Sequence, residues 1–368
     1  VLLHKKRIQT DLFALLTITV LLLVIGLLFI YSSSSVFALE KMGSAHYYFK
    51  KQLWAVLIGF VAIIGMRLIP FAFIKKYTPL LFFGSLVLTA LTVLTPLGQE
   101  IHGSSRWLAL PFISFQPSEL LKVFMILYIA YFISKKEHKH SSFIHGYLPF
   151  LIILGITAII LLKQPDFGLT VTLTLTAFAL LFVAGMYQKF MMITFIGLIP
   201  IVIALIAAKS YRLKRILTFL NPWEDPQGAG FQIIQSLIAI GSGGFWGTGI
   251  GQSKQKFFYL PMQHTDFIFS IIAEETGFIG SFVVVVLFVA FAYFGLRLAL
   301  QLTDRFSSIA TLGFVIVISL QALINILVAT GLAPTKGIGL PFISYGNTAL
   351  VCQLIMIGLI AYMAKVNE

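Results

Sequence analysis

The chain has 368 residues, of which 59% are hydrophobic and 11% charged, and its mean hydropathy is +0.98. A soluble domain of this length does not carry so apolar a surface, so the composition identifies an integral membrane protein. The formal net charge of +13 does not signal nucleic acid, because the basic residues fall in short clusters between apolar runs and read as membrane topology.

Crossing a hydrocarbon core about 30 Å thick takes roughly 20 helical residues. Ten runs meet that requirement, near 12–31, 52–69, 78–96, 118–134, 146–162, 167–186, 189–208, 266–296, 307–331 and 347–364. The expected fold is an all-α integral membrane protein, one polytopic domain over 1–368 with about ten transmembrane helices. Residues 209–265 are expected to form one long extracytoplasmic loop between the seventh and eighth helices. The first run follows His4-Lys5-Lys6-Arg7 and is too long for a signal peptide, so it reads as a retained signal anchor. The eighth is long enough to tilt or to continue past the bilayer. Cys352, the only cysteine, lies in the last run, so the fold relies on helix packing without an internal disulfide.

Lys and Arg in short loops set orientation. With the N-terminus inside, the inner segments hold Lys5, Lys6 and Arg7, then Lys75 and Lys76, Lys135, Lys136 and Lys139, Lys189, Arg297 and Arg305, and Lys365. Lys41, Lys50 and Lys51 fall outside, against the rule, yet the balance places both termini in the cytoplasm. Every polar, motif-like segment then falls on the outer side. A pump or channel spreads ionisable groups along its pathway; a cluster at one face suits chemistry on a molecule lodged in the outer leaflet.

In chain order, Gly103-Ser104-Ser105-Arg106-Trp107 offers an interfacial anchor, or an arginine for bidentate phosphate binding. In Gln116-Pro117-Ser118-Glu119, Glu119 shares a helix face with Lys122, either as a structural ion pair or as a cation held for an anionic ligand. Asp166, after Lys163-Gln164-Pro165, opens the sixth run as a helix cap or a functional carboxylate. Gly241 to Gly251 is glycine-rich but lacks a Gly-Lys-Ser/Thr ending, so it reads as a tightly folded loop or re-entrant segment and not a nucleotide site. In His264-Thr265-Asp266-Phe267-Ile268-Phe269, Asp266 stands at the lip of a membrane helix, where a charge must be solvated, paired or used, so it reads as a helix cap or as a catalytic base. His264 and Asp266 lack the ligand count of a zinc site. Ser344, in Ser344-Tyr345-Gly346, binds substrate or caps the tenth helix.

These segments together carry a family resemblance. Tyr211-Arg212, Phe219-Leu220-Asn221-Pro222-Trp223, Asp225-Pro226, Gly228-Ala229-Gly230, Gln235 to Gly244, Leu260-Pro261, and His264 to Phe269 resemble the SEDS family of shape, elongation, division and sporulation proteins, FtsW and RodA. Gln116 to Glu119, Gln164 to Gly168 and Ile343 to Gly346 match in the same order, so the resemblance covers nearly the whole chain. Gly331 to Gly337 and Gly103 to Trp107 look more like the division branch, FtsW, than RodA.

The resemblance implies a peptidoglycan glycosyltransferase that polymerises lipid II, a disaccharide-pentapeptide on undecaprenyl diphosphate, in the bacterial cytoplasmic membrane at the division septum. Its implied partners are a class B penicillin-binding transpeptidase and other division proteins. The family's presumed catalytic aspartate matches Asp266, its Glu and Lys pair Glu119 and Lys122, its loop arginine Arg106 and its loop glutamine Gln235. Trp107, Asp166, Arg212, Thr265 and Ser344 complete the expected substrate contacts. Asp266 would deprotonate the acceptor hydroxyl, its pKa raised by partial burial. Arg106 and Lys122, helped by Arg212 or Arg215, would stabilise the departing diphosphate. A divalent cation, magnesium or manganese, could share that task with Asp166 or Asp225 as conceivable ligands, although no metal motif is visible. Two positions depart from the family pattern: Met262 stands where Glu is usual, and Asn347-Thr348 replaces Gly-Ser. The rivals are an elongation polymerase of the same chemistry, a lipid flippase and a non-catalytic division scaffold. The flippase predicts broken helices near the midplane and internal repeats, and neither is clear in the sequence.

Overall fold

A computed structural model describes residues 2–96, 98–101, 104–109, 114–135, 142–185, 188–207, 210–228, 230–256, 260–335 and 337–367. Twelve helices follow one another among these residues: α1 (Leu2–Met42), α2 (Tyr47–Met66), α3 (Phe71–Leu94), α4 (Pro117–Lys135), α5 (Leu148–Lys163), α6 (Phe167–Val183), α7 (Gln188–Ala207), α8 (Ser210–Leu220), α9 (Phe231–Gly243), α10 (Ile268–Gln301), α11 (Arg305–Ala329) and α12 (Asn347–Val366). Each of the ten apolar runs lies on one of them. Eight helices are long and apolar enough to cross a membrane, and α6 and α7 contribute shorter apolar stretches. Helix is the form available because a segment in hydrocarbon must satisfy its own backbone N–H and C=O groups. Threonines inside the helices return their hydroxyls to the same ladder, Thr89 to the Ser85 carbonyl at 2.7 Å and Thr176 to the Thr172 carbonyl at 2.7 Å.

Helix α4 lies at the centre, packed against α3, α6, α11 and α12, while α10 packs on α1, α9 and α11. Between α3 and α4 the chain forms a small antiparallel sheet of β1 (Gly98–Ile101), β2 (Ser104–Ala109) and β3 (Ser114–Phe115) in that order, which the sequence did not announce. Strand β2 touches both α3 and α4 and thereby sets Arg106 and Trp107 over the start of α4.

Two expectations need correction. The stretch 209–265 is not simply loop, since it contains α8 and α9, and α9 packs on α10. The eighth run is also not one continuous helix: α10 is interrupted at Gly277, which adopts φ 66° and ψ −159°. Only glycine enters that region without strain, and a side chain there would overlap Gly247 and Phe245. The break is closed by the glycine-rich loop, whose Thr248 and Gly249 N–H groups donate to the Glu274 and Glu275 carbonyls at 2.9 and 3.0 Å, while the Phe278 N–H donates to the Gly244 carbonyl at 2.9 Å. Freed backbone groups inside a membrane helix persist where neighbouring protein satisfies them. The tight folding expected of Gly241 to Gly251 thus has a specific purpose. Beside the break, the buried Glu275 carboxylate accepts from Ser32 Oγ at 2.7 Å and pairs with Lys256 at 3.6 Å, and Glu274 accepts from the Lys254 N–H at 2.9 Å and from Ser253 Oγ.

At the far end of α10 the Asp304 carboxylate caps α11 through the Ser307 N–H at 2.9 Å and meets Lys75 at 2.9 Å. Burial raises its pKa, but Lys75 and the Ser307 donors more than reverse this and leave it below the ordinary carboxylate range.

Candidate functional site

At the opposite end of the bundle a cavity of about 360 Å³ opens between β2, the starts of α4 and α6, residues 262–266 and residues 337–346. Arg106, Trp107, Glu119, Lys122, Asp166, Thr265, Asp266 and Ser344 all line it, so residues expected from separate segments meet in one place. Gln235 is not among the lining residues; it lies on α9, where the adjacent Ser236 hydroxyl donates to the Ala329 carbonyl at 2.6 Å. Arg212 lies in α8, and its side chain and that of Arg215 fall outside the described residues.

The cationic wall is built on α4. Lys122 lies one turn beyond Glu119 on the same face, and its Nζ reaches Glu119 Oε2 at 2.6 Å and Gln321 Oε1 at 3.2 Å. The lysine is only 1% exposed. A buried ammonium requires such partners, because an unpaired one pays its desolvation in full. The ion-pair expectation is therefore met, and Lys122 still borders the cavity.

Next to it, Asp166 is the N-cap of α6, accepting from the Leu169 N–H at 3.1 Å. Arg106 Nη1 approaches its Oδ2 at 3.6 Å, while Arg106 also donates through Nη2 to the Pro165 carbonyl at 2.6 Å and through Nε to the Gln164 carbonyl at 3.4 Å. Ser104 Oγ donates to the same Gln164 carbonyl at 2.9 Å, so β2 is fastened to the α5–α6 turn. Burial pushes the Asp166 carboxyl above its ordinary pKa, with the Arg106 charge and the Leu169 N–H opposing the rise.

The facing wall carries Asp266. Helix α10 begins at Ile268 with Phe267 at its N-cap, so Asp266 stands ahead of the cap position, half-buried on the cavity. Its main chain is gripped from α11: the Asn325 amide donates to the Asp266 carbonyl and to the Ile338 carbonyl, both at 2.7 Å. A side chain on Gly337 would begin 3.4 Å from Asp266 Oδ2, so glycine there leaves room beside the carboxylate. Ser344 does not cap α12, whose N-cap is Gly346; its hydroxyl instead donates to the Thr265 carbonyl at 2.5 Å and accepts from the Leu340 N–H at 2.6 Å. The Tyr345 N–H donates to the His264 carbonyl at 2.9 Å, and Gln52 on α2 brackets the turn by donating to the Ser344 carbonyl at 3.1 Å and accepting from the Gly346 N–H at 3.3 Å.

His264 itself points away into an aromatic cage of Phe37, Tyr48 and Tyr345, with ring centroids at 5.7, 4.6 and 5.8 Å. Burial lowers its pKa to about 4 and raises that of Tyr345 to about 12, so both are neutral near pH 7. Gln52, Gln321 and Asn325, and also Gln353, which lines the cavity and accepts from the Phe342 N–H at 2.8 Å, were missed by sequence reasoning. Their only signal was a lone amide within or near an apolar run, a placement that membrane helices disfavour unless it is used.

The two carboxylates considered as cation ligands do not converge. Asp225 pairs with Lys214 at 3.2 Å and does not line the cavity, and Asp166 faces Arg106. Among the described residues no three His, Cys, Asp or Glu side chains gather as a metal site.

With this geometry in view, comparison with known proteins is direct. Residues 13–368 match the FtsW, RodA and SpoVE family model, described as cell cycle protein. The chain belongs to this family. It is 39% identical to the probable peptidoglycan glycosyltransferase FtsW of Geobacter sp. (strain M18), over 96% of this chain and 97% of that protein. It is 40% identical to stage V sporulation protein E of Bacillus subtilis (strain 168), over 99% of each. Its fold matches a solved chain of a peptidoglycan synthase complex that coordinates polymerization and crosslinking, with TM-score 0.80, 27% identity, and coverage of 97% of this chain and 98% of that one. It also shares the fold of Thermus thermophilus RodA, with TM-score 0.72, 22% identity and 96% of each chain covered.

Proposed function

We propose that this member of the family is a peptidoglycan glycosyltransferase that polymerises lipid II on the outer face of the bacterial cytoplasmic membrane during cell division. The observation that carries the chemistry is one cavity with a half-buried carboxylate, Asp266, on one wall and the cations Lys122 and Arg106 on the other. Sugar transfer from a lipid diphosphate needs both. Asp266 accepts the proton of the acceptor GlcNAc 4-hydroxyl as its oxygen bonds to the donor's anomeric carbon. The bond to the diphosphate breaks, the electron pair leaves with undecaprenyl diphosphate, and the two cations stabilise the charge that develops there. Asp166 and Glu119 hold those cations in place.

FtsW relatives over nearly the full length support the division role, and the complex joining polymerization to crosslinking supports a class B transpeptidase as partner. The loop charges support cytoplasmic termini, which puts the cavity on the outer side, and a division role implies residence at the septum.

The break in α10 is a feature that a flippase would also predict. Its freed carbonyls are taken by the glycine-rich loop, and neither Gly277 nor Glu274 nor Glu275 lines the cavity. The decisive experiment supplies lipid II to the purified chain in detergent, with and without a class B transpeptidase, and in parallel measures lipid II movement across liposomes. Glycan chains in the first arm establish the polymerase; translocation without chain growth replaces it with the flippase; neither activity leaves the scaffold.

A further inference from the structure

Gln321 and Asn325 lie one turn apart on α11, on one face, with Gln321 8% and Asn325 1% exposed. Each carries a side-chain amide, and each uses it on two partners. Asn325 Nδ2 donates to the Asp266 carbonyl and to the Ile338 carbonyl. Gln321 Nε2 donates to the Gly339 carbonyl at 3.1 Å while its Oε1 accepts from Lys122 Nζ at 3.2 Å. Consecutive carbonyls of one irregular segment, Ile338 and Gly339, are thus tied to the two opposite walls of the cavity by neighbouring amides on one rigid helix.

We propose that Gln321 and Asn325 are a pair of positioning residues that fix the separation between the base Asp266 and the cation Lys122, with the Ile338–Gly339 segment as the shared strut. The inference rests on the glycosyltransferase reading, which supplies the roles of Asp266 and Lys122. The Asp266 carbonyl needs an outside donor because α10 begins two residues later, and the first turn there runs from the Ser270 N–H to the Phe267 carbonyl. Asn325 provides that donor and so fixes the main chain from which the carboxylate projects. Gln321 provides the second acceptor for an ammonium whose other partner is Glu119. Neither amide is needed to complete a helix ladder, and a leucine and a methionine of similar size would fill the same spaces. The two amides act on different catalytic functions, so their loss separates kinetically: Asn325 affects the chemical step through Asp266, and Gln321 affects capture of the diphosphate through Lys122.

The test compares the full-length chain with Asn325→Leu and Gln321→Met by lipid II polymerisation kinetics, thermal melting and hydrogen exchange on the same preparations. Asn325→Leu is expected to lower kcat about 30- to 100-fold with KM changed less than about threefold, the size of effect that a misplacement near 1 Å produces. Gln321→Met is expected to raise KM about tenfold and to lower kcat less than Asn325→Leu does, since Lys122 holds the diphosphate in the ground state and also meets its developing charge. Exchange in 337–340 is faster in both variants, and exchange around 265–268 is faster in Asn325→Leu alone. The pair is overturned if exchange in these segments does not change, or if both variants lose kcat and KM effects together in proportion to lost melting temperature. A wild type that binds lipid II without making glycan overturns the glycosyltransferase reading instead, and the exchange pattern then decides the clamp by itself.

Discussion

Two aspartates face one cavity from the starts of two helices, and their surroundings assign them different work. Asp166 is 4% exposed, caps α6 and meets Arg106, so both of its oxygens serve structure. Asp266 precedes the cap of α10, is half-buried, and is held by its main chain through Asn325, with Gly337 leaving space at Oδ2. The Asp166 carboxylate closes a helix end and holds a cation, whereas the Asp266 main chain is held by Asn325 independently of its side chain, so the position of its carboxylate is set from the backbone. The same residue type at similar sequence positions therefore does not imply the same role.

The sharpest way to break this comparison is Asp266→Asn. Removing a general base typically costs about 10²- to 10⁴-fold in rate, roughly 3–5 kcal/mol of barrier. Glycan synthesis should fall by that factor in the variant, while melting in detergent should change far less than activity, because the Asn325 bond to the main chain is untouched. Equal synthesis by variant and wild type removes Asp266 from the chemistry.

His264 tests the main-chain support from the other side. Its pKa of about 4 in the fold lies below the ordinary 6.5. The unfolded chain thus binds the extra proton first, so this contribution to stability is full above pH 6.5 and is lost as pH falls through about 4. The full loss is about 3 kcal/mol by linkage. His264→Phe keeps a ring in the cage of Phe37, Tyr48 and Tyr345 and has no proton to gain. Melting curves between pH 7 and 4 should show wild type losing stability relative to the Phe variant; parallel curves would mean that the ring is solvated.

Asp166 predicts the reverse slope. Its pKa is raised by burial, so the folded state holds its proton longer and this contribution falls as pH rises from the unfolded value through the raised one. Asp166→Asn should therefore gain on wild type as pH rises across that window, since Asn caps a helix as well as Asp does. Asp166→Ala loses the cap as well and should melt below the Asn variant by about 1 kcal/mol of stability. If Asn and Ala melt alike, the cap contributes nothing.

What the sequence made legible follows from what the membrane demands. Long apolar runs can only be helices in hydrocarbon, so all ten runs landed on helices. The leucines at 213, 217 and 220 repeat at helical spacing, yet α8 was obscured by the glycine- and aromatic-rich sequence that follows it. The break at Gly277 was invisible because glycine is ordinary in membrane helices, and only its packing on Gly247 shows that this one is needed. Charges such as Glu119, Lys122 and Asp166 announced themselves within apolar surroundings. The amides Gln321 and Asn325 did not, because their partners Lys122, Gly339, Asp266 and Ile338 lie in segments that only the fold brings to α11.

The smallest and most informative perturbation is Met262→Glu. Met262 lines the cavity in a left-handed turn with φ 56°, and its carbonyl accepts from the Thr265 and Phe267 N–H groups at 3.1 and 3.3 Å. The main chain of this turn orients 264–266, whereas the thioether makes no bond on which that orientation depends. Glutamate, which the family usually carries here, would add a second negative charge near Asp266. A like charge disfavours ionisation of its neighbour, so the acidic limb of the pH–rate profile should move upward by about half a unit. The rate at pH 7 should change less than about threefold, the effect being confined to the acidic limb. A Met262→Gly variant relieves the left-handed turn without adding charge, and Gly at such a position commonly stabilises by about 1 kcal/mol or less. If Glu shifts the profile and Gly does not, the side chain tunes Asp266 by charge alone. If both shift it, the turn itself controls the base.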